Sequence, residues 1–113
     1  MLKLYGIKNC DTVKRSRKWL DDRGYEYVFH DFRTDGLDSQ LLDRLIENIG
    51  WENMINRRST SWRQLEDSER ESLDKQKAKG LMLKYPTLIK RPVIEGNNRF
   101  AAGVSPEVFV GES

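Results

Sequence analysis

Residues 2–12 read Leu2-Lys3-Leu4-Tyr5-Gly6-Ile7-Lys8-Asn9-Cys10-Asp11-Thr12 and hold the only cysteine of the chain. From Leu2 to Ile7 apolar and polar residues alternate, which suits a short strand that ends in a turn at Asn9. Beyond it, from Asp11 to Arg23, Val13, Ser16 and Leu20 fall on one helical face with Trp19 beside them. Lys14, Arg15, Arg17, Lys18, Asp21 and Asp22 make the solvated face, and Gly24 stands where a helix C-terminal cap belongs. Tyr25 to Phe32 is aromatic-rich and alternating, a second strand. Strand, helix and strand within about thirty residues have the period of a right-handed parallel βαβ unit, so an α/β fold is expected.

Further out, Thr34-Asp35-Gly36 is turn chemistry, and Asp38 can cap a helix carrying Leu41, Leu42, Leu45, Ile46 and Ile49 on its apolar face before Gly50. Trp51 to Leu65 is mixed, with a loop at residues 56–61 between short helical turns. Glu66 to Lys79 is charged and helix-permissive with Leu73 as its only large apolar residue, so a surface helix is expected there, and Leu81 to Tyr85 continues the helical character with a more apolar face until Pro86. Leu88 to Ile94 reads as a strand carrying Pro92, Gly96-Asn97-Asn98 as a hairpin turn, and Arg99 to Ala102 as the partner strand. Residues 105–113 can give a short helix or a tail.

A chain of 113 residues fits one domain. Its 20 basic and 18 acidic residues leave a net charge of +2, too little to hold a polyanion, so no direct nucleic-acid binding is expected. No apolar stretch approaches the roughly 20 residues that span a bilayer, and the first residues lack the pattern of a signal peptide. A cytoplasmic protein with no membrane partner is expected, and a monomer. One cysteine cannot form an internal disulfide, and one histidine, His30, argues against a metal site built by the protein. His30 is expected to pack or hydrogen bond within its strand.

Cys10 therefore stands between the end of a strand and the start of a helix. Unpaired N–H groups and the positive end of the helix dipole favour a thiolate there, and Lys8, Lys14 and Arg15 add positive charge, with Asp11 opposing. A small buried apolar cysteine is the plain alternative. The second feature is Lys90-Arg91-Pro92-Val93-Ile94. A proline opening a strand supplies no ladder donor, and a cis Arg91–Pro92 bond is one solution. Arg91 beside it can offer a planar, bidentate donor to an anion.

Together the segments YGIKNCDTVKRSRKWLDDRG, FHDFRTDGL, GWENMINRRSTSWRQL and LIKRPVI with a following hairpin resemble the ArsC/Spx/YffB family of thioredoxin-fold proteins, over nearly the whole chain and most nearly its YffB-like members. The resemblance implies a thioredoxin-like mixed sheet in a single domain of residues 1–113, with a helical insertion from about 38 to 85 between the βαβ unit and the C-terminal hairpin. It also implies a cis-proline at Pro92 facing the thiol. Trp51 and Trp62 would be packing residues of the insertion. Cys10 matches the family's nucleophilic cysteine. Arg91 matches the arginine beside the cis-proline, and Arg57, with Arg58 one position on, matches the arginine of the insertion. Asn9, Asp11, Thr12 and Pro92 join Arg91 and Arg57 as candidate residues for binding glutathione or an oxyanion.

The activity implied is that of a glutathione-dependent thiol reductase with no bound cofactor and glutathione as co-substrate, acting on an oxidised thiol or a small oxyanion. The alternatives are an arsenate reductase and a Spx-like, non-enzymatic regulator that binds RNA polymerase. Two departures bear on these. Ala102 or Gly103 falls where arsenate reductases carry a third arginine, leaving Arg99 as the nearest candidate. Val13 occupies the second position of the Spx CxxC switch, which excludes an internal redox switch.

Overall fold

The computed structural model describes residues 1–111. It divides into two compact units, one made of Met1–Gly36 with the chain from Arg91 on, the other of Leu37–Lys90.

The first unit begins with strand β1, Leu2–Gly6, followed by helix α1, Asp11–Asp22, and strand β2, Tyr27–Asp31. β1 and β2 pair in parallel from Leu2 opposite Tyr27 to Gly6 opposite Asp31. A crossover helix is what a parallel pair requires. The expected strand over residues 25–32 is shorter at both ends, and the reason lies in the cap of α1. Gly24, at φ +71°, turns the chain so that its N–H reaches Asp21 O at 3.1 Å while the Tyr25 N–H reaches Leu20 O at 3.0 Å. That double bond of a Schellman motif commits Tyr25 to the helix end rather than to the sheet.

Strand β3, Val93–Gly96, lies antiparallel to β1, and β4, Arg99–Ala102, lies antiparallel to β3, giving the order β2-β1-β3-β4. Asn97 and Asn98 join them at φ +51° and +62°, the left-handed pair that a two-residue hairpin needs. Helix α7, Pro106–Val110, is capped by Ser105. Glu112 and Ser113, the end of the stretch read as helix or tail, lie outside the described residues. Leu2, Leu4, Leu20, Ile94 and Phe109 form this unit's core, each contributing about 1.5–3 kcal/mol by burial. Gly6 permits the close approach of α1: a Cβ there would stand 2.6 Å from Val13 Cγ2.

In the second unit α2, Ser39–Ile49, begins at Asp38, whose carboxylate accepts the Leu41 N–H at 2.8 Å, and buries Leu42, Leu45 and Ile46. Short helices α3, Trp51–Met54, and α4, Thr60–Arg63, flank the expected loop. The expected surface helix from Glu66 is instead two helices, α5 at Asp67–Arg70 and α6 at Lys75–Lys84. The caps decide this. Glu66 and Glu69 close a capping box on α5, Ser72 takes φ +52°, and the Asp74 carboxylate accepts the Lys77 N–H to start α6. Local side-chain acceptors thus compete with a continuous helix. Ala78 is buried within the stretch expected on the surface, while the burial of Leu81 and Met82 agrees with the more apolar face expected past Lys79.

The expected strand from Leu88 to Ile94 is corrected as well. Pro86–Leu88 is a 3₁₀ turn, and the next residues pair inside the second unit, with Asn56 N–H to Leu88 O at 2.8 Å and Lys90 N–H to Met54 O at 2.7 Å. Only Val93 onward joins the sheet, after Pro92 has interrupted the ladder. Among the described residues no helix is long and apolar enough to cross a membrane.

Candidate functional site

β1 delivers the chain to a tight turn, Ile7-Lys8-Asn9-Cys10, closed by the Cys10 N–H on Ile7 O at 3.1 Å. Cys10 is the N-cap of α1, with φ −90° and ψ 126°, and makes no side-chain cap hydrogen bond. Its carbonyl accepts the Lys14 N–H at 2.9 Å. The thiol is free and half-buried. Asn9, Asp11 and Thr12 surround it as exposed residues, with the Thr12 carbonyl accepting from Ser16 Oγ at 2.8 Å. Val13, one turn into the helix, is fully buried.

The turn is braced from β2. Asp31, the last residue of that strand, is 4% exposed, and its carboxylate accepts three backbone N–H groups. Oδ2 takes Lys8 N–H at 2.8 Å, and Oδ1 takes Arg33 N–H at 2.7 Å and Thr34 N–H at 3.0 Å. Burial alone would raise this carboxyl's pKa. The hydrogen bonds from Thr34, Arg33 and Lys8, with the charge of Arg33, outweigh it and hold the group below the usual carboxylate range. Asp35 extends the brace by accepting the Asp31 N–H at 2.9 Å, and the Phe32 N–H meets Gly6 O at 2.8 Å. Sequence reasoning missed Asp31. The available signal was the turn chemistry of Asp31-Phe32-Arg33-Thr34-Asp35, an acceptor side chain two and three residues ahead of N–H groups it can bind.

At the same end of the sheet β3 begins with a cis Arg91–Pro92 peptide. Val93 pairs with Tyr5 on one side and with Ala102 on the other, and the Pro92 carbonyl accepts the Gly103 N–H at 2.9 Å. Pro92 is buried and Arg91 half-buried. The Ile7–Cys10 turn, the residues after Asp31, Arg91–Pro92 and Ala102–Gly103 therefore share one end of the sheet.

Arg99 does not. It pairs with Gly96, at the opposite end of β4 from Ala102, so it cannot stand in for the arginine absent at Ala102 or Gly103. Its guanidinium donates to the Phe109 carbonyl and covers the Phe109 ring, 4.7 Å from the centroid. Arg57 belongs to the second unit, where its guanidinium lies 5.3 Å from the Trp62 ring centroid. His30 donates through Nε2 to the Gly36 carbonyl at 2.7 Å and packs beside Tyr5 and Phe32, a role in packing and hydrogen bonding.

A mixed four-stranded sheet, a lone cysteine at the β1–α1 turn and a cis-proline opening the adjacent antiparallel strand define a thioredoxin-like protein with one thiol. The chain belongs to the ArsC family, whose model matches residues 5–110. An uncharacterised Haemophilus influenzae protein is 43% identical over 109 residues, 96% of each chain. The global transcriptional regulator Spx of Streptococcus mutans is 27% identical over 110 residues, 95% of this chain and 79% of that one. Among solved structures, a YFFB protein is 40% identical with a TM-score of 0.89, covering 98% of this chain and 97% of that one. An arsenate reductase of Vibrio cholerae shares the fold at 18% identity, with a TM-score of 0.80 over 97% of this chain and 95% of that one.

Proposed function

We propose that this protein is a glutathione-dependent thiol–disulfide reductase that works through Cys10. The observation that carries the reading is the placement of the chain's single, free, half-buried thiol at the N-cap of α1, the kind of position in which reactive cysteines are found. In the reaction the Cys10 thiolate attacks one sulfur of a substrate disulfide. The S–S bond breaks, the other sulfur leaves as a thiolate that takes up a proton, and Cys10 is held in a mixed disulfide. With no second cysteine in the chain, resolution falls to glutathione. When Cys10 carries a glutathionyl group, a second glutathione thiolate attacks the glutathione sulfur, releases oxidised glutathione and restores the Cys10 thiolate. Arg91 supplies a charged donor for a glutathione carboxylate, and the backbone beside Pro92 offers edges to a peptide-like ligand.

Turnover of a small glutathione mixed disulfide, coupled to glutathione consumption, tests this. The wild-type protein accelerates it and Cys10→Ser does not; equal rates for the two overturn the reading. Reduction of arsenate is the weaker reading, because Ala102 and Gly103 offer no side-chain cation beside Pro92. The likeness to Spx supports a further one, a non-enzymatic module that binds RNA polymerase. Capture of polymerase that survives Cys10→Ser, with no thiol exchange by the wild type, would favour it.

A further inference from the structure

We infer that Asp31 is a positioning residue for Cys10, a two-sided backbone clamp that sets the turn presenting the thiol. The inference rests on the reading of Cys10 as the reactive group. A buried carboxylate is costly unless its lone pairs are used. The two oxygens of Asp31 divide their work. Oδ1 satisfies Arg33 and Thr34, in the turn that follows β2. Oδ2 reaches across to the Lys8 N–H, two residues before Cys10. A single acceptor oxygen would serve the local turn, so asparagine would suffice there. The second oxygen is needed only for the cross-loop bond, and that bond needs a carboxylate, since an amide would turn an N–H₂ donor toward the Lys8 N–H.

The other ties on the turn are backbone to backbone: Phe32 N–H to Gly6 O and Cys10 N–H to Ile7 O. The Asp31 bond is thus a side-chain contact that fixes Lys8, and through it the turn that carries Cys10. Cutting it loosens the turn that presents the thiol to a reactant.

Asp31→Asn makes that cut while keeping Oδ1. The readouts are the rate of Cys10 alkylation by iodoacetamide and amide hydrogen exchange at Lys8, both on the full chain. We expect Asp31→Asn to slow alkylation about three- to tenfold and to speed Lys8 exchange. Asp35→Ala, which loosens the same β2 turn through the Asp31 N–H but spares Lys8, should stay within about twofold of wild type.

The sign separates this from the alternatives. Removing a nearby anion favours a thiolate, so electrostatic loss speeds alkylation, and a variant whose fold is intact by circular dichroism slows only through the lost clamp. An Asp31→Asn rate equal to or above wild type therefore overturns the clamp. Should that variant not fold, wild type alone decides. Lys8 must exchange at least about tenfold more slowly than the exposed Asn9 amide, and similar rates overturn the inference. A wild-type thiol no faster than that of glutathione overturns the reactive-thiol reading and the clamp with it, whereas a fast wild type with an equally fast Asp31→Asn overturns only the clamp.

Discussion

The two ends of the sheet are braced by opposite charges. At the end that leads into Cys10, the anion of Asp31 is buried and gathers backbone N–H groups from two turns. At the hairpin end, the cation of Arg99 lies on the surface, donates to the Phe109 carbonyl and covers the ring. Both side chains tie one segment to another through backbone, yet only one tie ends two residues from a thiol. A long, hydrated side chain holds a terminal helix at little cost, whereas burying a carboxylate is sustained by three hydrogen bonds and repaid in a fixed loop.

The largest effect expected to separate the two ends is in thiol exchange. Cys10→Ser should reduce glutathione-coupled disulfide turnover to the uncatalysed rate, while Arg99→Ala leaves it unchanged; the coupled assay reads both. Next comes stability. Asp31→Ala leaves three backbone N–H groups without their acceptor and should cost about 3 kcal/mol by urea denaturation. Gly6→Ala drives a Cβ into Val13, a buried and stiff β-branched neighbour, and should cost about 2 kcal/mol in the same experiment. Arg99→Ala should cost only about 0.5–1 kcal/mol, the value of an exposed cation over a ring, with the Cys10 alkylation rate unmoved.

The smallest effect is in pH. The Asp31 carboxyl ionises below its ordinary value when folded, so the folded protein holds that proton less tightly than the unfolded chain. Its contribution is whole above the ordinary value, about 3.9, and is lost as pH falls through the folded value. The stability gap between wild type and Asp31→Asn should therefore narrow below about pH 4, read from denaturation midpoints at matched salt. A gap that widens with acid would contradict the assignment.

The legible parts of the fold are those where local chemistry and packing agree. The β1–α1 turn, the face of Val13, Ser16 and Leu20, the Gly24 cap and the Asn97-Asn98 hairpin all announce themselves by period or turn residue. Illegible were segments whose state depends on a partner. The apolar run from Leu88 to Ile94 has no period of its own, and only the pairing of Leu88 and Lys90 with residues 54–56 keeps its first half out of the sheet. The charged run from Glu66 is divided by caps whose acidic residues look like any solvated helix face. In the site, the position of Cys10 could be read from the strand and helix on either side. Asp31 showed only its local turn chemistry, because a charged residue at a strand end is buried, and reaches Lys8, only once β2 has paired with β1.

Exchange of Cys10 with glutathione is read by intact-mass spectrometry of the protein mixed with oxidised glutathione. A single glutathione adduct should form, map to Cys10 and disappear when reduced glutathione is added. Absence of the adduct, or an adduct that reduced glutathione does not remove, would contradict the account.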